Sequence, residues 1–326
     1  MTITLTSEHV RCLDWRDLPA DRVAPLYGAE VERWASTLEW ETADNWAEVE
    51  CGRQLGTVKG IVLVEDRQTI LGWSFFLVHK RALQVGGIVA PSAAAAQTML
   101  DAILTDQVLS SVETVTFFAF TEAAGLGPAL RAKGLSVDRY WYLGRETARV
   151  APPRLDDVRR WRPDDARATA ELLARSYPAK DEARPFAPGG CMDEWSEYVS
   201  QLMSGRGCGV LLPEACFCIS GGPSRLIGAA LVTRLSDNTG HLAQLAIDPK
   251  VQRRHLGGKL LDLVCVAASQ AGCGRVTLFV GARNSRARSL YETARFEVMA
   301  SFLSAGTLQP RRSTSVAPGR PTITRR

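Results

Sequence analysis

The sequence predicts an α/β protein with a mixed sheet, built as two tandem copies of one fold. Three observations carry that reading. The second half runs through an antiparallel meander of short apolar strands and then alternates strand, helix, strand, helix, strand, the order of helices layered on a sheet. The first half repeats that order at a nearly constant offset. Between the two, consecutive prolines in VAPPRLDD break both helix and strand. A chain of 326 residues suits two domains of about 150 residues each better than one core.

Taken in order from residue 157, VRRW is a short strand and DDARATAELLARSY an acid-capped helix. MDEWSEYVSQLMS is a second helix, with Trp195, Tyr198, Val199 and Leu202 at i, i+3, i+4, i+7. GVLL, ACFCIS, RLIGAALVTRL and GHLAQLAI are strands separated by GGPS and SDNTG. A helix follows from Gly258 to about Ala271 and stops at the glycines of AGCG. RVTLFVGA is a buried strand, SRARSLYETAR a helix and FEVMASFL a last strand. In the first half GIVLVED (60–66) matches CFCISGG and LGWSFF (71–76) matches IGAALV, both at offset 156. GGIVAP matches QLAIDP at 158, and TVTFFA and RAKGL match RVTLFV and ETARF at 161, so the copies differ by small insertions. The expected division is a first copy over 1–148, a linker over 149–156, a second copy over 157–304 and a disordered basic tail over 305–326.

Composition narrows the function. With 46% hydrophobic and 23% charged residues and no apolar run near the roughly 18 needed for a bilayer span, the chain reads as globular. Its start, MTITLTSEHVRCLDW, lacks a basic segment followed by an apolar one, so the expected location is cytoplasmic, with no membrane partner. Five arginines, Arg311, Arg312, Arg320, Arg325 and Arg326, crowd the tail; without them the formal charge of +4 becomes −1. The folded part is therefore not a nucleic-acid binder by charge. None of the eight cysteines makes a C-x-x-C pair, and Cys216 and Cys218 lie within one strand, so reduced buried thiols are expected, without disulfide or metal.

The chemistry gathers at DPKVQRRHLGGKLLDLV, residues 248–264. A strand ends at Asp248-Pro249, a basic loop follows, and a helix starts with amides that have no intrahelical acceptor. Those amides, the helix dipole and Arg253, Arg254 and Lys259 suit a pyrophosphate, and Gly257 and Gly258 allow close approach. Neither G-x-G-x-x-G nor G-K-[ST] is present, which excludes the common nucleotide loops.

These residues carry a resemblance. Gln252-Arg253-Arg254-His255-Leu256-Gly257 resembles the Q/R-x-x-G-x-G/A signature of the GNAT acetyltransferases. Asn284, Ala287, Leu290, Tyr291 and Phe296 of ARNSRARSLYETARFE resemble the family's N-x-x-A-x-x-L-Y-x-x-x-G-F, and the likeness spans about 157–304. The resemblance implies acetyl-coenzyme A as acyl donor, its pyrophosphate held by the amides of this loop. It also implies an amine acceptor, backbone groups of Leu245, Ala246 and Ile247 on the pantetheine arm and thioester, Asn284 on that arm, and Tyr291 as general acid. His241, eleven residues before Gln252, falls where histone-acetylating members carry a catalytic glutamate, and is the candidate base; many members deprotonate the amine through water instead. Two departures stand out: His255 replaces the first loop glycine and Arg295 the glycine before phenylalanine. A non-catalytic acyl-coenzyme A sensor and an acyltransferase with another donor are the alternatives.

The first copy fails at each chemical position. SAAAAQTML has neither arginine nor glycine after Pro91, Leu130 stands at the place of Tyr291, and Ala123 at that of Asn284. It resembles the degenerate half of tandem GNAT proteins, which implies a part in shaping or covering the acceptor site. In the active copy LARSYPAKDEARPFAPGGCMDEWSEY would line that site, with Asp181, Glu182, Asp193 and Glu194 as candidate holders of the amine.

Overall fold

A computed structural model describes residues 10–306 apart from 66–68, 80–81, 106–107, 109–110, 113, 121–124, 148–156, 178–185, 188 and 223. The expected linker, Ala123, Asp181, Glu182 and the tail beyond 306 therefore lie outside the described residues. Strand β1 (Val10–Asp14) leads into helices α1 (Ala20–Leu38) and α2 (Ala43–Leu55), then strands β2 (Lys59–Glu65), β3 (Thr69–His79) and β4 (Ala82–Val89). Helix α3 (Ala93–Ile103), β5 (Thr114–Phe120), α4 (Leu126–Ala132) and β6 (Ser136–Glu146) follow. The second copy runs β7 (Val158–Arg160), α5 (Ala166–Ser176), α6 (Met192–Met203), β8 (Val210–Leu211), β9 (Phe217–Ser220), β10 (Leu226–Ser236) and β11 (Thr239–Ile247). It ends with α7 (Leu256–Gln270), β12 (Arg275–Gly281), α8 (Ser285–Thr293) and β13 (Glu297–Gly306). The last strand thus takes in two residues expected in the tail, and Ala305 is 1% exposed against Phe117 and Val137.

The duplication is visible in the backbone. Each copy has one parallel pair, β4 with β5 and β11 with β12, and in each copy the pairing stops after a few residues and the strands part. Each has a bulge just beyond, where Gly86 and Ala243 are skipped in the pairing with β3 and β10. Equating the bulges gives offset 157 for this strand, one less than GGIVAP and QLAIDP suggest, so the extra residue lies after the strand. Gly134 (φ 78°) and Arg295 (φ 62°), matched at offset 161, both adopt the left-handed conformation after their helices. Within the first copy, alternation along β2 sends Val62 and Val64 toward Val23 and Tyr27 of α1, and Leu63 toward Met99 and Leu100 of α3.

All thirteen described strands join one sheet, in the order β1-β2-β3-β4-β5-β13-β6-β12-β11-β10-β9-β7, with β8 beside β10. The final strands have changed places. β13 of the second copy lies between β5 and β6, while β6 of the first lies between β13 and β12. Leu38, Phe120, Tyr140, Tyr142 and Phe302 are buried together at this seam, each such side chain contributing roughly 1.5–3 kcal/mol. Tyr142 donates to the Leu38 carbonyl at 2.8 Å, and Glu39 pairs with Arg275 at 3.0 Å and accepts from the Thr239 hydroxyl at 2.6 Å. Removing either copy strips a strand from the other and leaves ladder groups unpaired.

Candidate active site

The site begins where β11 and β12 separate. Their pairing covers only Thr239–His241 and Arg275–Thr277. Beyond it, the free edge of β11 exposes the carbonyls of Ala243, Leu245 and Ile247. Tyr198 and Tyr177 donate to the first two at 3.4 Å, and the Gln252 side-chain amide donates to the third at 2.9 Å. N–H and C=O of one residue point to the same edge of a strand, so the Leu245 and Ile247 amides also face the cleft. Ala246, between them, turns its backbone toward β10 and Ala229, which removes it from the expected set of backbone contacts.

Asp248 fixes the turn that follows. Its buried carboxylate accepts from the Lys250 amide at 3.0 Å and lies 3.0 Å from Arg225 and 3.3 Å from Arg175. Burial opposes its charge, but that amide and the two guanidinium groups outweigh the loss of water and hold the carboxyl below its usual range. Gln252 ties the loop down, bonding Ile247 with its nitrogen and accepting from Arg286 with its oxygen. It is thus a positioning residue more than a direct phosphate contact.

From Gln252 to Gly258, seven consecutive amides have no acceptor among the described residues, and the first helical bond of α7 runs from Lys259 to His255. Gln252 is extended (φ −62°, ψ 167°) while Arg253 (φ 64°) and His255 (φ 59°) are left-handed, a tightly turned backbone of the kind that can gather N–H groups into an anion nest. His255 occupies the conformation for which the family favours glycine, and histidine enters it more readily than most side chains. Arg253, Arg254, His255 and Lys259 are exposed around the nest. A Cβ on Gly257 or Gly258 would meet Leu290 only at ordinary contact distance, 3.6–3.7 Å. The glycines therefore serve open access to the amides rather than packing.

Tyr291 stands on α8 with its ring 5.8 Å from Phe296 and 7% exposed. Its hydroxyl has no partner among the described residues, and burial pushes its pKa up, so it keeps its proton. Asn284 caps α8, its side-chain oxygen accepting from the Ala287 amide at 3.0 Å, which commits that atom to the helix. His241 is in a different setting from the one a base needs. It is 2% exposed, its Nδ1 lies 3.0 Å from the Thr277 hydroxyl, and it is stacked between Trp40 at 6.3 Å and Tyr142 at 5.9 Å, both from the first copy. Burial drives its pKa down to about 3, so it is neutral and reluctant to take a proton. The expected acids Asp193 and Glu194 lie in the first turn of α6, where Glu194 accepts from the Gly189 amide at 2.8 Å. Glu194 is therefore a helix-start cap.

Residues 168–296 match the acetyltransferase (GNAT) family. The second copy is a GNAT acetyltransferase domain. The chain is 26% identical over 217 residues to a mycothiol acetyltransferase from Beutenbergia cavernae, covering 60% of this chain and 68% of that protein. A GCN5-related N-acetyltransferase from Sphaerobacter thermophilus has the same fold at TM-score 0.63 and 16% identity, over 93% of this chain and 96% of that one. A fungal glucosamine N-acetyltransferase region within a multi-domain β-N-acetylglucosaminidase aligns at TM-score 0.55 and 12% identity, over 91% of this chain and 38% of that one. The first of these structures covers both copies, and with the repeated bulge and parting strands this shows a chain built from two copies of that fold. GNAT acetyltransferases take their acetyl group from acetyl-coenzyme A.

The first copy has no such nest. Ser92 caps α3, its hydroxyl accepting from the Ala95 amide at 3.2 Å, and Leu130 is fully buried where the active copy has Tyr291. Sequence reasoning missed two features of the GNAT site: the left-handed Arg253, and Trp40 covering His241 from the other copy. The first had no glycine to signal it; the second depends on which copy packs where. Among the described residues no cluster of His, Cys, Asp or Glu is arranged for a metal, and Cys216 and Cys218 are buried, with thiols pushed up by burial to about 12 and about 11. No helix of the described chain is long and apolar enough to cross a membrane.

Proposed function

We infer that the chain transfers an acetyl group from acetyl-coenzyme A to a primary amine at its second copy. The observation that carries this reading is the run of seven unpartnered amides from Gln252 to Gly258 beside the open edge of β11. Seven unsatisfied N–H donors on one basic turn fit a diphosphate, and a neutral ligand would leave most of them unsatisfied. Arg253, Arg254 and Lys259 add charge at the rim; the Leu245 and Ile247 amides are offered to the pantetheine arm and the thioester oxygen. The bound donor supplies an activated acetyl group.

Tyr291 holds a proton on its hydroxyl and gives it to the departing sulfur as the C–S bond breaks and the N–C bond forms. The amine's surplus proton goes to water, because the buried His241 is too weakly basic to take it. An acyl-coenzyme A sensor would need the nest but has no use for an unpartnered phenol beside it, which favours the enzyme. The first copy packs its Glu39–Glu41 segment on the strands of the second, consistent with a part in shaping the acceptor side. The relative named for mycothiol puts mycothiol-related amines first among acceptors to try.

The test is calorimetric titration with acetyl-coenzyme A together with thiol release across a panel of small amines and lysine peptides. Arg253→Ala should weaken binding; Tyr291→Phe should keep binding and lose turnover. Tight binding without thiol release for any amine would favour the sensor, and no binding would remove the reading altogether.

A further inference from the structure

A half-enclosed cavity of about 390 Å³ opens in the first copy, where β4 and β5 part. It is that copy's counterpart of the cleft beside β11. Seven aromatic side chains line it: Trp34, Trp40, Trp46, Trp73, Phe75 and Phe120 from the first copy and Phe302 from the exchanged strand β13. Gly86 on its floor has no space for a Cβ, which would collide with the Phe75 ring, so the strand is shaped to let that ring lie flat. Trp34, Trp40, Trp46 and Phe75 remain partly exposed. Open aromatic surface in a concavity of this size is where a small ligand gains most by leaving water.

Thr42 is the second, independent observation. It lines the cavity, is 6% exposed, and its buried hydroxyl has no hydrogen-bond partner among the described residues. It begins α2 yet makes no side-chain cap bond, so the hydroxyl serves no helix. A buried hydroxyl left unmade is a standing cost that a ligand's polar atom would remove.

Charge narrows the ligand. The charged lining residues are Glu30 and Arg33, which pair at 3.5 Å; Glu30 also accepts from the Trp34 indole at 3.1 Å, and Arg33 lies over the Phe120 ring at 3.9 Å. A cation would meet Arg33 and an anion would meet Glu30, so neither gains from the pair. A phosphate-bearing ligand would find the Ala95 amide taken by Ser92 and no cation in SAAAAQTML to pair with. No residue of β11, α7 or α8 lines the cavity, and Trp40 stands between it and His241, so an occupant does not reach the transfer site.

We propose that the first copy binds a neutral, planar, mostly apolar small molecule of one or two rings, with one polar atom on Thr42, at a site separate from acetyl transfer. The probe is 2-naphthol, titrated calorimetrically into the full chain, with 2-naphthoate and 2-naphthylmethylammonium as charged counterparts and coenzyme A as competitor. Wild type should show saturable one-to-one binding below about 1 mM. Thr42→Val, which keeps the shape and removes the hydroxyl, should weaken it about tenfold; Val49→Trp, which fills the cavity from α2, should abolish it. Both variants are first checked for a cooperative melt. The charged naphthalenes should bind at least tenfold more weakly, and saturating coenzyme A should leave the 2-naphthol isotherm unchanged. No saturable binding to wild type, displacement by coenzyme A, or equal affinity for cooperatively melting Thr42→Val would each overturn the proposal.

Discussion

The two copies are alike in fold and differ most at one turn of backbone. In the first, the Ser92 hydroxyl accepts from the Ala95 amide at the start of α3 at 3.2 Å, and SAAAAQTML supplies no cation. In the second, the corresponding start is left bare over seven amides and rimmed with cations. A helix start partly closed by its own side chain has less to give an anion, and an open one is stable only with a partner or water. The bulge, the parting strands and the left-handed turn at Gly134 or Arg295 survive in both copies because they build the cleft. What distinguishes the cleft beside β11 from the aromatic cavity is therefore side chains and capping placed on a shared frame.

The largest effect should come from separating the copies. Because β6 and β13 are exchanged, residues 1–148 and 157–306 expressed apart should each lack a cooperative melt by circular dichroism; a sharp transition in either would show that the exchange is dispensable. Next is His241, at the contact between copies. The fold accommodates its neutral form, so its contribution is complete above the ordinary histidine value near 6.5 and fades as pH falls toward about 3, amounting to roughly 4–5 kcal/mol over that span. Denaturant melts between pH 7 and 4 should show this loss, and His241→Gln should flatten it. An unchanged slope would mean that the ring is wetter than its burial implies.

Tyr291→Phe should lower the thiol-release rate by about 10²–10³-fold with acetyl-coenzyme A affinity within about twofold, since a proton donor acts on the departing sulfur and not on the bound ground state. The reciprocal Leu130→Tyr should give the first copy no activity, because the nest is missing there. A fall in affinity as large as the fall in rate would recast Tyr291 as packing. Smaller still is the contrast between the helix starts. Ser92→Ala should cost about 1 kcal/mol of stability and leave donor binding alone. The double change Arg253→Ala with Arg254→Ala should do the reverse, weakening binding about tenfold or more with stability nearly constant.

Most of the fold was legible because strand and helix periods are local. The meander, α7 and α8 follow from apolar spacing, and α7 was expected only two residues short of its start at Leu256. The strand exchange was not legible, since no local pattern states which neighbour a strand will choose. The basic loop stands out in the sequence through its arginines and glycines, and Tyr291 through its motif. His241 was reached by counting along the chain, which places it at the start of β11 but cannot show that Trp40 and Tyr142 enclose it. The cavity had a readable trace: five of the eight tryptophans, Trp15, Trp34, Trp40, Trp46 and Trp73, fall within the first 73 residues, and four of them line it.

The finest comparison is between Gly134 and Arg295, one turn in two copies. Both follow a helix with positive φ, 78° and 62°, a conformation that charges a side chain a steric penalty glycine avoids. Arg295→Gly should therefore stabilise the protein, though glycine's greater freedom in the unfolded chain takes back part of the gain, leaving about 0.5–1 kcal/mol. Gly134→Ala should cost about the same; a Cβ there meets nothing within 4 Å, so the cost isolates backbone strain from packing. If thermal melts show Arg295→Gly to be neutral or destabilising, the guanidinium must hold the end of α8 strongly enough to offset the strained turn. The two copies would then differ there in energetics as well as in residue.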